Sequence, residues 1–155
     1  MHVLLLADGD APDRSVLDGV WPGWDAEVAI VIAADGGARH AAALGRVIDH
    51  WVGDGDSLGA AGVAELRAEG VRVELVATDK DASDTELALD AATAAGATRI
   101  TIVGALGGQR LDHALANIGL LAVPELAGRD VRLVAASARI RLVTAPGADG
   151  RPVSV

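Results

Sequence analysis

Six short runs rich in Val, Ile and Leu are spaced along the chain, at Val3–Ala7, Val28–Ala33, His50–Val52, Val71–Val76, Arg99–Val103 and Val131–Ala135. Alanine-rich stretches of helical character separate them, near Gly37–Leu44, Ala60–Glu69, Thr85–Ala95 and Leu111–Leu121. The apolar runs are continuous rather than alternating, which is the pattern of strands buried on both faces. Strand–helix alternation builds βαβ units, so the expected fold class is α/β, a three-layer Rossmann-like and mostly parallel sheet. Gly70 and Gly96 stand just past two of the helical stretches, where a left-handed residue ends a helix at little cost. Asp18 to Trp24 reads equally as a short helix or a loop.

The pattern changes near residue 137. Ile140–Thr144 is strand-like, Ala145-Pro146-Gly147-Ala148-Asp149-Gly150 is a strong turn signal, and Arg151–Val155 begins another extended piece. The expectation is one α/β domain over residues 1–137 and the truncated beginning of a second β domain over 138–155. An ordinary frayed terminus is the plainer alternative.

The 155 residues suffice for one compact domain with a real core. Cysteine is absent, which removes disulfides, thiolate metal sites and cysteine nucleophiles together. The first residues carry no basic leader, and no apolar run approaches membrane length, so a cytoplasmic protein is expected. A formal net charge of -9 argues against nucleic acid as a partner, since no excess of cations is there to neutralise its phosphates. A polyanion remains an acceptable ligand if a divalent cation accompanies it.

Four polar clusters directly follow four of the predicted strands: Asp35–Ala38, Gly53–Ser57, Thr78–Thr85 and Gly104–His113. In open α/β sheets the carboxyl ends of the strands share one edge, and ligands bind there, so these distant segments are expected to converge. Asp54 and Asp56, two apart on an extended segment, would present both carboxylates to one side. Magnesium takes one or two carboxylates together with phosphate oxygens and water. A polar turn is the plain alternative for Gly-Asp-Gly-Asp-Ser. An EF-hand loop from Asp54 to Glu65 is disfavoured because Leu58 stands where an oxygen ligand is needed and a strand precedes it. Asp81 and Asp84 are spaced to lie near one another at a helix start, where Ser83 and Glu86 also match a capping box. Lys80, just ahead of that first turn, would offer a phosphate a cation beside backbone N–H donors.

In the first cluster, Asp35 can accept hydrogen bonds from a ribose or substrate, and Gly36 and Gly37 permit close approach of a ligand to the backbone. In the last, Gly107 and Gly108 make a flexible loop of low bulk, and Arg110 can fork onto phosphate. Asp112 would orient Arg110 or cap the next helix. His113 would contact a base or phosphate, or pack as an ordinary histidine, and Asn117 faces either the same site or solvent. Walker A, the dinucleotide-binding glycine fingerprint and the GxSxG elbow are all absent. The aromatic residues, Trp21, Trp24 and Trp51, are expected in the core or at its rim.

In order, the clusters resemble the thiamine pyrophosphokinase catalytic domain: DGGA at Asp35–Ala38, GD-x-DS at Gly53–Ser57, KD-x-[ST]-D-x-E at Lys80–Glu86 and GG…R-x-D-H-x-x-x-N at Gly107–Asn117. Gly55 stands in a slot where that family usually has a bulkier apolar residue, and Gln109 adds one position before Arg110. The resemblance implies Mg2+-dependent transfer of pyrophosphate from ATP to thiamine, giving thiamine diphosphate and AMP. It implies Asp54, Asp56 and Asp84 as magnesium ligands, and Asp35, Gly36, Ser83, Gly107, Gly108, Arg110, Asp112 and His113 around the nucleotide. Lys80, Asp81 and Arg110 are then the residues near the reacting phosphates, with Asp81 either assisting deprotonation or structural. A homodimer with a second, β-sandwich domain is also implied. The alternatives are another Mg2+-dependent phosphotransferase or nucleotide hydrolase, or a nucleotide-binding module without catalysis.

Overall fold

The computed structural model describes residues 1–77, 82–108, 110–146 and 152–154, with backbone alone for 144–146 and 152–154. The chain runs β1 (His2–Leu6), α1 (Arg14–Val20), β2 (Val28–Ala34), a 3₁₀ helix (Asp35–His40), β3 (His50–Gly53), α2 (Gly59–Ala68) and β4 (Arg72–Leu75). It continues with α3 (Asp84–Ala94), β5 (Arg99–Val103), α4 (Leu111–Leu120), a 3₁₀ turn (Pro124–Leu126), β6 (Asp130–Val134), β7 (Arg139–Ile140), β8 (Thr144–Pro146) and β9 (Pro152–Ser154).

Among the described residues the main sheet has seven strands in the order β4-β3-β2-β1-β5-β6-β7. Strands β1 to β6 pair in parallel and β7 closes the edge antiparallel to β6. The chain lays down β1 to β4 in one direction and then returns to place β5 on the other side of β1. That reversal opens a crevice at the carboxyl ends of β1 and β5, the place where open α/β sheets bind ligands.

Successive residues of β1 feed opposite layers, because side chains alternate across a strand. Val3 and Leu5 join Ala88, Leu89 and Ala92 of α3, whereas Leu4 and Leu6 join Leu17 of α1, Leu44 and Val63 of α2. All of these are buried, so both faces of the central strand are covered, as its unbroken apolar run predicts. Trp24 and Trp51 are in the core. Half-buried Trp21 donates its indole N–H to the carbonyl of Ala135 at 2.8 Å. No helix among the described residues is long and apolar enough to cross a membrane.

Two segments differ from expectation. The helix expected over Gly37–Leu44 is a 3₁₀ helix over Asp35–His40. The strand expected over Ile140–Thr144 is split between β7, on the main sheet, and β8, which takes in Ala145 and Pro146 of the expected turn and pairs antiparallel with β9; the rest of that turn lies outside the described residues.

Candidate active site

A cavity of about 720 Å³ opens at the reversal point of the sheet. Asp8 and Gly9 after β1, Ala34 at the end of β2, and Asp54 after β3 line it. The first turn of α3 contributes Ser83, Asp84 and Thr85. The loop after β5 contributes Gly104, Ala105, Gly107 and Gly108, and α4 adds Arg110, His113 and Asn117. Segments separated by up to about a hundred residues thus meet at one edge, because a parallel sheet points every strand's carboxyl end the same way.

Seven expected site residues are on this wall: Asp54, Ser83, Asp84, Gly107, Gly108, Arg110 and His113. Asp35, Gly36, Asp56 and Asp112 do not line the cavity. Lys80 and Asp81 lie outside the described residues, as does Gln109.

Asp35 adopts a left-handed φ of 43°, a conformation that costs a residue with a Cβ of order 1 kcal/mol or more. Its carbonyl accepts the indole N–H of buried Trp51 at 2.9 Å, which holds the turn in place. The side chain is buried, and its Oδ1 has no hydrogen-bond partner. Gly53 makes room for it: a Cβ there would stand 2.9 Å from the Asp35 Cα and 2.7 Å from the Trp51 ring. Asp35 and Asp54 follow the carboxyl ends of two adjoining strands.

Asp54 and Asp56 do not share one side of an extended segment. The chain turns at Gly55, whose φ is 87°, and Asp54 Oδ1 accepts the Asp56 N–H at 3.0 Å. This short-range turn leaves Asp54 on the cavity wall and Asp56 exposed. Ser83 is the N-cap of α3, and its Oγ accepts the Glu86 N–H at 3.2 Å.

Arg110 and Asp112 form a fork, with Nε to Oδ1 at 3.0 Å and Nη2 to Oδ2 at 2.5 Å. Asp112 thus orients Arg110, while the N-cap position of α4 is Arg110 itself, which makes no side-chain cap bond. The guanidinium hydrogen bond holds the Asp112 carboxyl down to about 2 and raises the Arg110 pKa. Asn117 Nδ2 donates to the Ala105 carbonyl at 2.9 Å, pinning the loop after β5 from inside α4.

The turn after β1 was not singled out by sequence, yet it is the hub of the edge. The Asp8 carboxylate and carbonyl accept both terminal nitrogens of Arg39, and the Gly9 carbonyl lies 2.8 Å from His40 Nε2. Gly9 packs so closely that a Cβ would stand 2.4 Å from the Gly104 oxygen and 2.5 Å from that of Gly107. Gly36 lies under the Asp8 carboxylate, where a Cβ would be 2.1 Å from Oδ1. The low bulk of Gly9 is used for backbone packing, and that of Gly36 for room beneath the Asp8–Arg39 pair. The available signal was position: Asp8-Gly9-Asp10 follows a strand directly, as the four chosen clusters do.

Among the described residues, no three histidine, aspartate or glutamate side chains gather closely enough to hold a metal ion by themselves. Magnesium does not need such a cage, because phosphate oxygens and water complete its shell. Asp54 and Asp84 share the cavity, and Asp35, whose buried Oδ1 has no hydrogen-bond partner, follows the neighbouring strand. An all-oxygen donor set of this kind fits a hard divalent cation.

Residues 24–133 match the family model described as thiamin pyrophosphokinase, catalytic domain. No curated protein sequence matches the chain. Among solved structures, thiamine pyrophosphokinase from Bacillus subtilis is similar, at 26% identity and a TM-score of 0.71, over 95% of this chain and 66% of that one. A thiamin pyrophosphokinase family protein from Enterococcus faecalis is similar at 29% identity and a TM-score of 0.73, over 95% and 67%. Thiamin pyrophosphokinase from Geobacillus thermodenitrificans gives 31% and 0.65, over 86% and 59%. The chain thus spans about two thirds or less of the length of these three. With a matched region that contains the 3₁₀ turn, β3, the start of α3 and the loop after β5, the chain belongs to the thiamin pyrophosphokinase family.

Proposed function

We propose that the cavity binds ATP with Mg2+ and that the protein transfers pyrophosphate to thiamine, giving thiamine diphosphate and AMP. The observation that carries this reading is the convergence of Asp54, Asp84, the Gly107–Gly108 loop and Arg110 on one cavity at the sheet's reversal point, in a chain of this family. Carboxylates together with a low-bulk loop and a guanidinium suit a metal-bound polyphosphate.

In this reading the acceptor hydroxyl attacks the β-phosphorus of ATP. A new O–Pβ bond forms, the bond from Pβ to the α–β bridging oxygen breaks, and that oxygen leaves with AMP. The hydroxyl proton passes to a nearby carboxylate or to water. Such a step needs no covalent enzyme intermediate, so positioning and charge stabilisation supply the catalysis. A bound Mg2+ would neutralise charge on the phosphate oxygens, with Asp54 and Asp84 as its protein ligands and Asp56 and Asp35 beside them. Arg110, oriented by Asp112, would offset charge on the transferred group, and Ser83, Gly107, Gly108 and His113 would contact the nucleotide. Lys80 and Asp81, which immediately precede cavity-lining Ala82 in sequence, complete the assignment near the reacting phosphates. A homodimeric, cytoplasmic protein belongs to the same proposal, as does a second β domain over residues 138–155, whose first strand, β7, pairs with the edge of the main sheet.

The test is product identity. Incubation with Mg·ATP and thiamine is expected to yield AMP and thiamine diphosphate. ADP would point to a different phosphotransferase or hydrolase, and Mg·ATP binding without turnover to a non-catalytic nucleotide module.

A further inference from the structure

The loop that follows β5 is tied at three points. Gly9 N–H donates to the Gly104 carbonyl at 2.8 Å, Asn117 donates to Ala105, and Gly108 N–H donates to Asp10 Oδ2 at 2.9 Å. The first two ties hold the root of the loop. The third holds its tip, where Gly108 has a φ of 100° that only glycine adopts readily.

Asp10 reaches the loop from 98 residues away in sequence. It fits so closely that a Cβ on Gly107 would stand 2.6 Å from its Cβ and 2.7 Å from its carbonyl oxygen. Its own position is fixed by the neighbouring turn, since Arg39 clamps Asp8 and His40 contacts the Gly9 carbonyl. A carboxylate is an unexpected group beside a loop that lines a polyphosphate cavity, because its charge repels the ligand. Its hydrogen bond has the opposite effect: it fixes the loop before the ligand arrives, which lowers the ordering cost of binding.

We propose that Asp10 is a positioning residue, holding the Gly107–Gly108 loop in its ligand-binding form through the Gly108 amide. The inference rests on the reading of this cavity as a polyphosphate site. The two opposed effects of the carboxylate separate on substitution. Asp10→Asn keeps an oxygen that accepts the Gly108 N–H and removes the charge, whereas Asp10→Ala removes both.

Calorimetric titration with Mg·ATP should therefore find Asn at position 10 binding as tightly as aspartate or up to a few-fold more tightly. Alanine should bind about tenfold more weakly, as expected for losing a charge-assisted hydrogen bond. Amide exchange by NMR gives a readout that needs no nucleotide. Gly108 should be protected in the wild type and Asp10→Asn, and exchange several-fold faster in Asp10→Ala. Alanine binding as well as aspartate overturns the proposal, and so does asparagine binding as poorly as alanine. An unprotected Gly108 amide in the wild type overturns it without any variant, which covers an alanine variant that fails to fold. A wild-type chain that takes up no Mg·ATP contradicts the polyphosphate reading instead, and the exchange data then still decide whether Asp10 holds Gly108.

Discussion

The indole N–H of Trp51 donates to the main-chain carbonyl of Asp35 at 2.9 Å, anchoring a residue held at a φ of 43°. A core side chain thereby sustains a strained turn at the end of β2, with a buried carboxylate oxygen left without a hydrogen-bond partner. Strain and an unpaired buried acceptor both cost stability, and such costs cluster at functional sites. Asp35→Gly removes both costs. Chemical denaturation should find this variant as stable as the wild type or more stable by up to about 1 kcal/mol, with Mg·ATP affinity reduced. A less stable variant with unchanged affinity would mean that Asp35 serves the fold alone.

Gly37 lies against β1, where a Cβ would stand 2.2 Å from the Leu6 carbonyl oxygen. The obstacle is backbone, so no side chain can move aside. Gly37→Ala should cost about 1–3 kcal/mol in urea denaturation by overpacking. Gly19→Ala is the control, with nothing within 4 Å of the added atom. Equal midpoints for the two would refute the packing role given to Gly37.

Stability should fall as the medium is acidified from about pH 8 to about pH 5.5. His2 Nδ1–H donates to the Ala26 carbonyl at 2.7 Å, leaving Nε2 to accept from the Thr101 hydroxyl at 2.9 Å. This arrangement requires the neutral ring, and burial lowers the His2 pKa. His50 is lowered too, first by burial and then by Arg72. Its Nε2 lies 3.2 Å from Glu74 Oε2, which acts to raise the pKa, but burial prevails over the carboxylate. The unfolded chain binds the proton more readily than the folded one. Stability from these rings is therefore complete above the usual histidine value of about 6.5 and is lost as pH falls below it. His2→Gln, which does not titrate, should flatten the slope, and adding His50→Gln should flatten it further. An unchanged slope in the double variant would contradict this account.

Asp112 should remain ionised, and paired with Arg110, until pH approaches about 2. A carboxyl carbon titration by NMR reads this directly. The Arg110→Lys variant, which has no fork to match the carboxylate, should return Asp112 towards the ordinary aspartate range and weaken Mg·ATP binding. A titration midpoint near 4 in the wild type would show that the fork does not persist in solution.

The sheet was legible because its strands are read locally. Arg99–Val103 has the same bounds in sequence and structure, and the other parallel strands differ by a residue or so at their ends. The 3₁₀ helix over Asp35–His40 was not, because Gly36 and Gly37 answer to contacts with Asp8 and Leu6, about thirty residues earlier. The same limit hid the Asp8-Gly9-Asp10 turn, whose worth lies in Arg39, His40 and Gly108. It also misjudged Asp56: alternation along a strand places two carboxylates together, but Gly55 ends the strand pattern before it applies. Asp54, Ser83, Asp84 and Arg110 reached the cavity as expected because each directly follows a strand or opens a helix at the carboxyl edge.

The most direct test of the central claim is calorimetric titration of ATP into the protein with and without Mg2+, repeated on Asp54→Asn. The account predicts one-site binding that needs the metal and is lost or weakened at least tenfold in the variant, with the far-ultraviolet circular dichroism unchanged. Binding of equal strength without Mg2+, or undiminished in Asp54→Asn, would contradict it.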